Sequence, residues 1–156
     1  MNIFILDNNI ELCAQYHNDK HVIKMILETT QLLNNARIKY DPNASHIYRE
    51  THKNHPCSIW AATSSANFNW LTKLGLALCS EYTFRYGKIH KCQKIIQWFS
   101  ISSSFVPEGE LTPFVQCMPD QYKSNDAVAA YRAYYIGEKK DMAKWKGREV
   151  PEWWIQ

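Results

Sequence analysis

The order of apolar and polar positions divides the chain into one short apolar run followed by helical periods. "NIFIL" (2–6) is apolar, rich in β-branched residues and ends at Asp7, which predicts a strand. "DNN" then offers a cap for a short helix over about Ile10 to Tyr16. Asn18 or Asp19 caps a second helix from about Lys20 to Lys39. In it Val22, Ile26, Thr29 and Leu33 share one face, with Ile23, Leu27 and Leu32 beside them. "DPNAS" (41–45) is a turn. Pro56 suits the first turn of a helix holding Ile59 and Trp60. Ser64 or Ser65 opens the next helix, where Phe68, Leu71, Gly75, Leu78 and Tyr82 keep register until Gly87. A fifth helix is expected from about Lys88 to Phe99, and a last one, capped by Asn125 or Asp126, to about Lys144. Residues 100–124, with Pro107, Gly109, Pro113 and Pro119, form the longest irregular stretch; such a loop in a small domain is functional or well packed. The expectation is a mainly α, single-domain helical protein over residues 1–156 with a short N-terminal β-strand, whose partner is sought in 110–117.

Composition narrows the function. A chain of 156 residues holds one domain with one core. Eighteen Lys and Arg against fifteen Asp and Glu leave a net charge of +3, below the pronounced basic face of a duplex-DNA binder. Cys13, Cys57, Cys79, Cys92 and Cys117 form no C-x-x-C, and scattered thiols fit a reducing cytoplasm. No apolar run is long enough to span a membrane, so no membrane partner is expected. P-loop, G-x-G-x-x-G and G-x-S-x-G motifs are absent, which leaves His, Lys, Glu or Tyr for any catalysis. His17 and His21 are spaced like a metal pair, with Glu28 as a third ligand. The H-E-x-x-H pattern is missing, however, and "HPC" (55–57) has no second Cys pair, so neither metal nor cofactor is expected.

Four polar stripes supply candidate chemistry. His21, Lys24, Glu28 and Gln31 fall at helical spacing and are expected to face a concave site. "THKNHP" (51–56) sets Lys53, Asn54 and His55 before a helix N-terminus, where anions are favoured. "FRYGKIHK" (84–91) adds Arg85 at a helix junction. Arg132, Tyr135 and Lys139 line one face of the last helix, suited to a phosphate with a stacked base. With His17 these make up the candidate ligand-binding set, and His21, Lys24 and Glu28 are also candidates for catalysis. Each stripe has an ordinary alternative: a solvated helix face, a polar turn, cations complementing a helix C-terminus, or core tyrosines.

The chain resembles a family of small proteins of tailed bacteriophages in the blocks "MNIFILD", "QYHNDKHVIKMILETTQLL", "THKNHPCSIWA", "LGLALCSEYTFRYGKIHK", "TPFVQCMPDQY" and "AYRAYYIGEKKDMAKWKGREVPEWW", nearly its whole length. That family brings no activity to transfer. A more limited likeness, through "LCAQYHNDKHVIKM", is to pyrimidine-dimer DNA glycosylases. It implies a small, mostly helical protein with a short N-terminal strand, a His-containing early helix and an aromatic C-terminus. In that family the catalytic N-terminal residue follows a removable Met, whereas Asn2 is expected to retain Met1 here. Lys24 falls where the catalytic Glu is expected.

Two functions follow. The first is a phage counter-defence protein of the infected host's cytoplasm. It would bind, and could cleave, a small phosphorylated nucleotide such as a host immune signal in a His/Lys/Arg/Tyr pocket. The alternative is a DNA-repair glycosylase or lyase acting on damaged DNA. A structural phage protein ranks third, and homo-oligomers stay open. The mild net charge favours the nucleotide. Lys24 divides the two: a desolvated amine able to form a Schiff base in a lyase, or a point charge for phosphate in a nucleotide pocket.

Overall fold

Local hydrogen bonds at the caps fix where the helices begin. Asn9 Oδ1 accepts from the Leu12 N–H at 3.0 Å, Asn18 Oδ1 from His21 N–H at 2.9 Å, and Ser64 Oγ from Asn67 N–H at 3.1 Å. Each satisfies a backbone donor that the helix itself cannot. The helices are α1 Ile10–Tyr16, α2 Asp19–Tyr40, α3 Pro56–Thr63, α4 Ser65–Tyr86, α5 Gln93–Ile101 and α6 Ala127–Glu138, in a computed structural model that describes residues 1–154. Gly87, at φ 65°, ends α4 in the left-handed conformation that glycine adopts without strain.

The two 22-residue helices α2 and α4, each about 33 Å long, form the central pair. Val22, Ile26 and Leu33 from α2 and Phe68, Leu71 and Leu78 from α4 are fully buried in one core. Each such side chain contributes roughly 1.5–3 kcal/mol on leaving water. Helix α1 lies on α4, α3 on both long helices, and α5 against α4 and α2. Gly75 marks the closest approach: a Cβ there would stand 3.0 Å from Thr29 Cγ2 and 3.1 Å from Ile96 Cδ1.

The expected N-terminal β-strand does not form; among the described residues there is no strand. Ile3, Phe4, Ile5 and Leu6 are all buried, so the run is apolar because both of its sides face protein, not because it pairs in a sheet. Side chains satisfy its backbone instead. Cys13 Sγ lies 3.2 Å from Phe4 O and 3.4 Å from Leu6 N, and Arg132 Nε donates to Leu6 O at 2.8 Å. The segment sought as its partner does approach it, but only through side chains. Asn2 Nδ2 donates to Cys117 O at 2.8 Å, and the Tyr131 hydroxyl accepts from Cys117 N–H at 3.1 Å and lies 2.8 Å from Asn2 Oδ1.

Two helix ends also differ from expectation. Residues 88–92 turn around buried His90, whose Nδ1 accepts from Cys92 N–H, so α5 starts at Gln93. Helix α6 stops at Glu138, and a 3-10 turn, Lys140–Met142, redirects the chain. Lys144 O then accepts from Asp19 N–H at 2.8 Å, holding this segment on the start of α2.

A buried ion network closes the fold. Arg85, fully enclosed, donates to Glu81 Oε1 (2.8 Å), Asp19 Oδ1 (3.0 Å), His17 O (2.9 Å) and Gln15 O (2.9 Å). Arg148 grips both oxygens of Glu81 at 3.0 Å. Burial alone would raise the Glu81 pKa, but the two arginines outweigh it and hold the carboxyl below its ordinary range. The network joins α4, the α1–α2 junction and the C-terminal tail.

Candidate functional site

The polar stripe of α2 is split by what covers it. His21 is buried beneath Phe4, stacked at 4.5 Å. Lys24 points to solvent, with 66% of its side chain exposed, so the desolvated amine expected there is not found. Glu28 lies between these extremes, its side chain 12% exposed, and Gln31 is half-buried.

His17, His21 and Tyr135 form a sealed cluster. His17 Nδ1 donates to Cys13 O at 2.7 Å, which leaves Nε2 buried without a hydrogen-bond partner. A second proton would place a charge in a dry interior, and burial pulls the His17 pKa down to about 4. Burial, helped by the charges of His17, Lys139 and Lys24, lowers His21 to about 3. Tyr135 keeps its proton because burial raises its pKa well above the ordinary value, and its hydroxyl meets His21 Nδ1 at 2.6 Å.

The other sequence candidates are dispersed. Arg85 belongs to the buried ion network. Arg132 donates to Asp7 Oδ2 at 2.8 Å as well as to Leu6 O, and its guanidinium stands 5.3 Å from the Trp153 ring. It clamps the N-terminal segment, so a charge reversal there disturbs the fold and is no clean probe of ligand binding. Lys53 and Asn54 are exposed beside a cleft of about 390 Å³ that they share with Asn35, Lys39, Glu50 and Ser58. Lys139 lies over the Tyr134 ring at 4.9 Å.

A second cluster assembles where the chain starts. Glu28 Oε1 is 3.8 Å from the α-amino nitrogen of Met1 and 3.8 Å from Lys24 Nζ. Its Oε2 is buried with no hydrogen-bond partner. His55 caps α3, its Nδ1 accepting from Cys57 N–H at 3.1 Å. Burial lowers its pKa first, then the fields of the α-ammonium and His52, while Glu28 opposes. Cys57 Sγ and Cys117 Sγ are 3.6 Å apart, and Asn2 Oδ1 is 3.9 Å from Cys57 Sγ. The hydrogen bond from Cys57 draws the Cys117 thiol down to about 7, aided by Lys123 and the α-ammonium. That same bond, with burial, pushes Cys57 up.

Of the candidates read from the sequence, Lys24, Glu28 and His55 meet in this cluster. The α-amine, Cys57 and Cys117 were not among them. "HPC" gave half of the signal, but Cys117 lies 60 residues farther on, and no local pattern ties the two together.

The chemistry on offer is an amine beside a carboxylate, backed by an imidazole and two thiols. No curated protein and no solved structure matches the chain. The sequence pattern of the Pyrimidine dimer DNA glycosylase family matches residues 1–94, from the α-amino group through α4 to the start of α5, and so contains Met1, Lys24, Glu28 and His55. The match favours the DNA-repair reading over a signalling-nucleotide ligand, for which it offers no support. No helix among the described residues is long and apolar enough to cross a membrane. With six-tenths of its length inside the family pattern, the chain belongs to the pyrimidine dimer DNA glycosylase family.

Proposed function

We propose that the protein excises damaged bases from DNA, with pyrimidine dimers as the substrate. Its nucleophile is the α-amino group of Met1, and Glu28 is the acid–base partner. The observation that carries this reading is the 3.8 Å approach of that amine to a mostly enclosed carboxylate with a free oxygen. Glu28 takes a proton from the ammonium, and the freed nitrogen attacks C1′ of the damaged nucleotide. The C1′–N bond to the base breaks and the base leaves with the electron pair. A second amine proton neutralises the displaced base nitrogen, and the proton held by Glu28 passes to the ring oxygen as the sugar opens to a protonated imine. Exposed Lys24, beside Glu28, is placed to meet a DNA phosphate as a point charge.

Borohydride added during incubation with a dimer-containing duplex reduces the imine and fixes the protein on DNA. Peptide mass spectrometry is expected to place the adduct on Met1. Extending the chain by one residue, which displaces the amine, is expected to abolish it. An adduct on Lys24 that disappears in Lys24→Ala would transfer the nucleophile to that lysine. Absence of both adduct and glycosyl-bond cleavage would sink the glycosylase reading.

A further inference from the structure

We propose that His55, Cys57 and Cys117 bind a single soft divalent cation of the zinc class, with the two sulfurs as thiolates and the imidazole as third ligand. One ligand atom from each residue lies within 4.8 Å of the other two. The two sulfurs are 3.6 Å apart. Tetrahedral zinc holds sulfur at about 2.3 Å, which sets a sulfur–sulfur edge of about 3.8 Å. A shift of a few tenths of an ångström therefore brings the two sulfurs to the zinc edge and the imidazole has up to about an ångström to close, whereas a disulfide requires the sulfurs to close to about 2.05 Å. Two thiols in simple contact sit equally far apart; the imidazole beside them is what makes the cluster a ligand set. Sulfur and imidazole select zinc over magnesium or calcium, which take oxygen.

The ligands are held before any ion arrives. His55 and Cys57 are fixed by the first turn of α3. Cys117 is fixed by its own backbone, whose N–H donates to the Tyr131 hydroxyl and whose carbonyl accepts from Asn2 Nδ2. Binding releases the two thiol protons to solvent and changes no oxidation state. His55 gives up its cap contact in exchange. A metal at Nδ1 displaces the Cys57 N–H directly, and a metal at Nε2 moves the ring proton onto Nδ1. Three protein ligands leave a fourth position for water, on the cluster that also holds Asn2. The bound ion ties α3 to the 110–117 segment next to the N-terminus. The site goes beyond the glycosylase reading and is independent of it, since Cys117 lies outside the residues that match the family.

Cobalt serves as the probe, titrated into the reduced, metal-free full-length chain. The expected result is a thiolate-to-cobalt charge-transfer band that saturates at one equivalent, with a higher Tm. Cys57 is buried and its replacement risks the fold, so Cys117→Ser and His55→Gln carry the test, with circular dichroism confirming that both remain helical. Each is expected to weaken cobalt binding by about tenfold or more. Cys92→Ser, buried like Cys57 and so checked by the same circular dichroism, alters a thiol outside the cluster and is expected to leave the band intact. Absence of the band at one equivalent overturns the proposal. So does an undiminished band in both Cys117→Ser and His55→Gln, and so does a Cys57–Cys117 disulfide that forms while cobalt is ignored.

Discussion

His21 and Glu28 lie seven residues apart on α2, two turns along one face, and they end in opposite circumstances. His21 is enclosed with His17, Phe4 and Tyr135. Glu28 reaches the edge of the fold, where the α-amine of Met1 and Lys24 approach the same oxygen. Both clusters are polar and both touch the N-terminal segment. In the first, burial fixes each proton: neutral imidazoles, a protonated phenol. In the second, an ammonium and a carboxylate face each other with spare hydrogen-bonding capacity. Both clusters hold an unpartnered buried atom, His17 Nε2 in one and Glu28 Oε2 in the other; what separates them is charge, neutral groups in the first and an amine set against a carboxylate in the second.

The largest expected effect falls on the Met1–Glu28 cluster. Glu28→Gln keeps the shape of the side chain but cannot accept a proton. Base excision from a dimer-containing duplex is expected to fall on the order of 10²–10⁴-fold, while the melting curve changes little. A variant that excises normally would strip Glu28 of its role. One that melts far earlier would make Glu28 structural, like His21, and erase the contrast.

Acid should act on the sealed cluster instead. The unfolded chain protonates His17 near 6.5, whereas the folded protein does so only near 4. Stability is therefore complete above pH 6.5 and falls as pH drops through the window down to about 4, because only the unfolded state gains the proton there. A shift of this size corresponds to a loss on the order of 3 kcal/mol. Urea unfolding at stepwise pH measures it, and His17→Gln is expected to flatten the slope. An unchanged slope in that variant would place the acid sensitivity elsewhere.

The smallest effect belongs to Lys24. Its ion pair with Glu28 is exposed, and such pairs contribute about 0–1 kcal/mol. Lys24→Ala is expected to leave Tm nearly unchanged and to weaken duplex binding modestly, with a shallower dependence on salt. A Tm loss as large as that caused by acid would mean that Lys24 is packed and not solvated.

Much of the helical framework was legible in advance because it rests on short-range chemistry. Asn9, Asn18, Ser64 and Gly87 bound α1, α2 and α4 through contacts within a few residues. The apolar spacing of Val22, Ile26 and Leu33 located the buried face of α2. Prediction failed where a local signal had two physical meanings. An apolar run such as "NIFIL" fits a strand or a segment enclosed by helices, and only the presence of Arg132, Cys13 and Asn2 as hydrogen-bond partners decides which. Among site residues, Glu28 and His55 stood out from their sequence context. Arg85 and Tyr135 did as well, although packing assigned those two to the interior.

Local patterns along the chain thus suffice for the mainly helical class, most helix starts and the apolar faces, since capping and three-to-four-residue periodicity act within one or two turns. Long-range packing is what sets the α-amine of Met1 against Glu28 and Cys117 against Cys57. It also sets Arg132 on the N-terminal segment, through Leu6 O and Asp7. These contacts join groups 27, 60 and 125 residues apart along the chain. No backbone propensity reaches that far. They form because burying the core brings those segments together, and the chemistry of each group follows from how much water that packing leaves it.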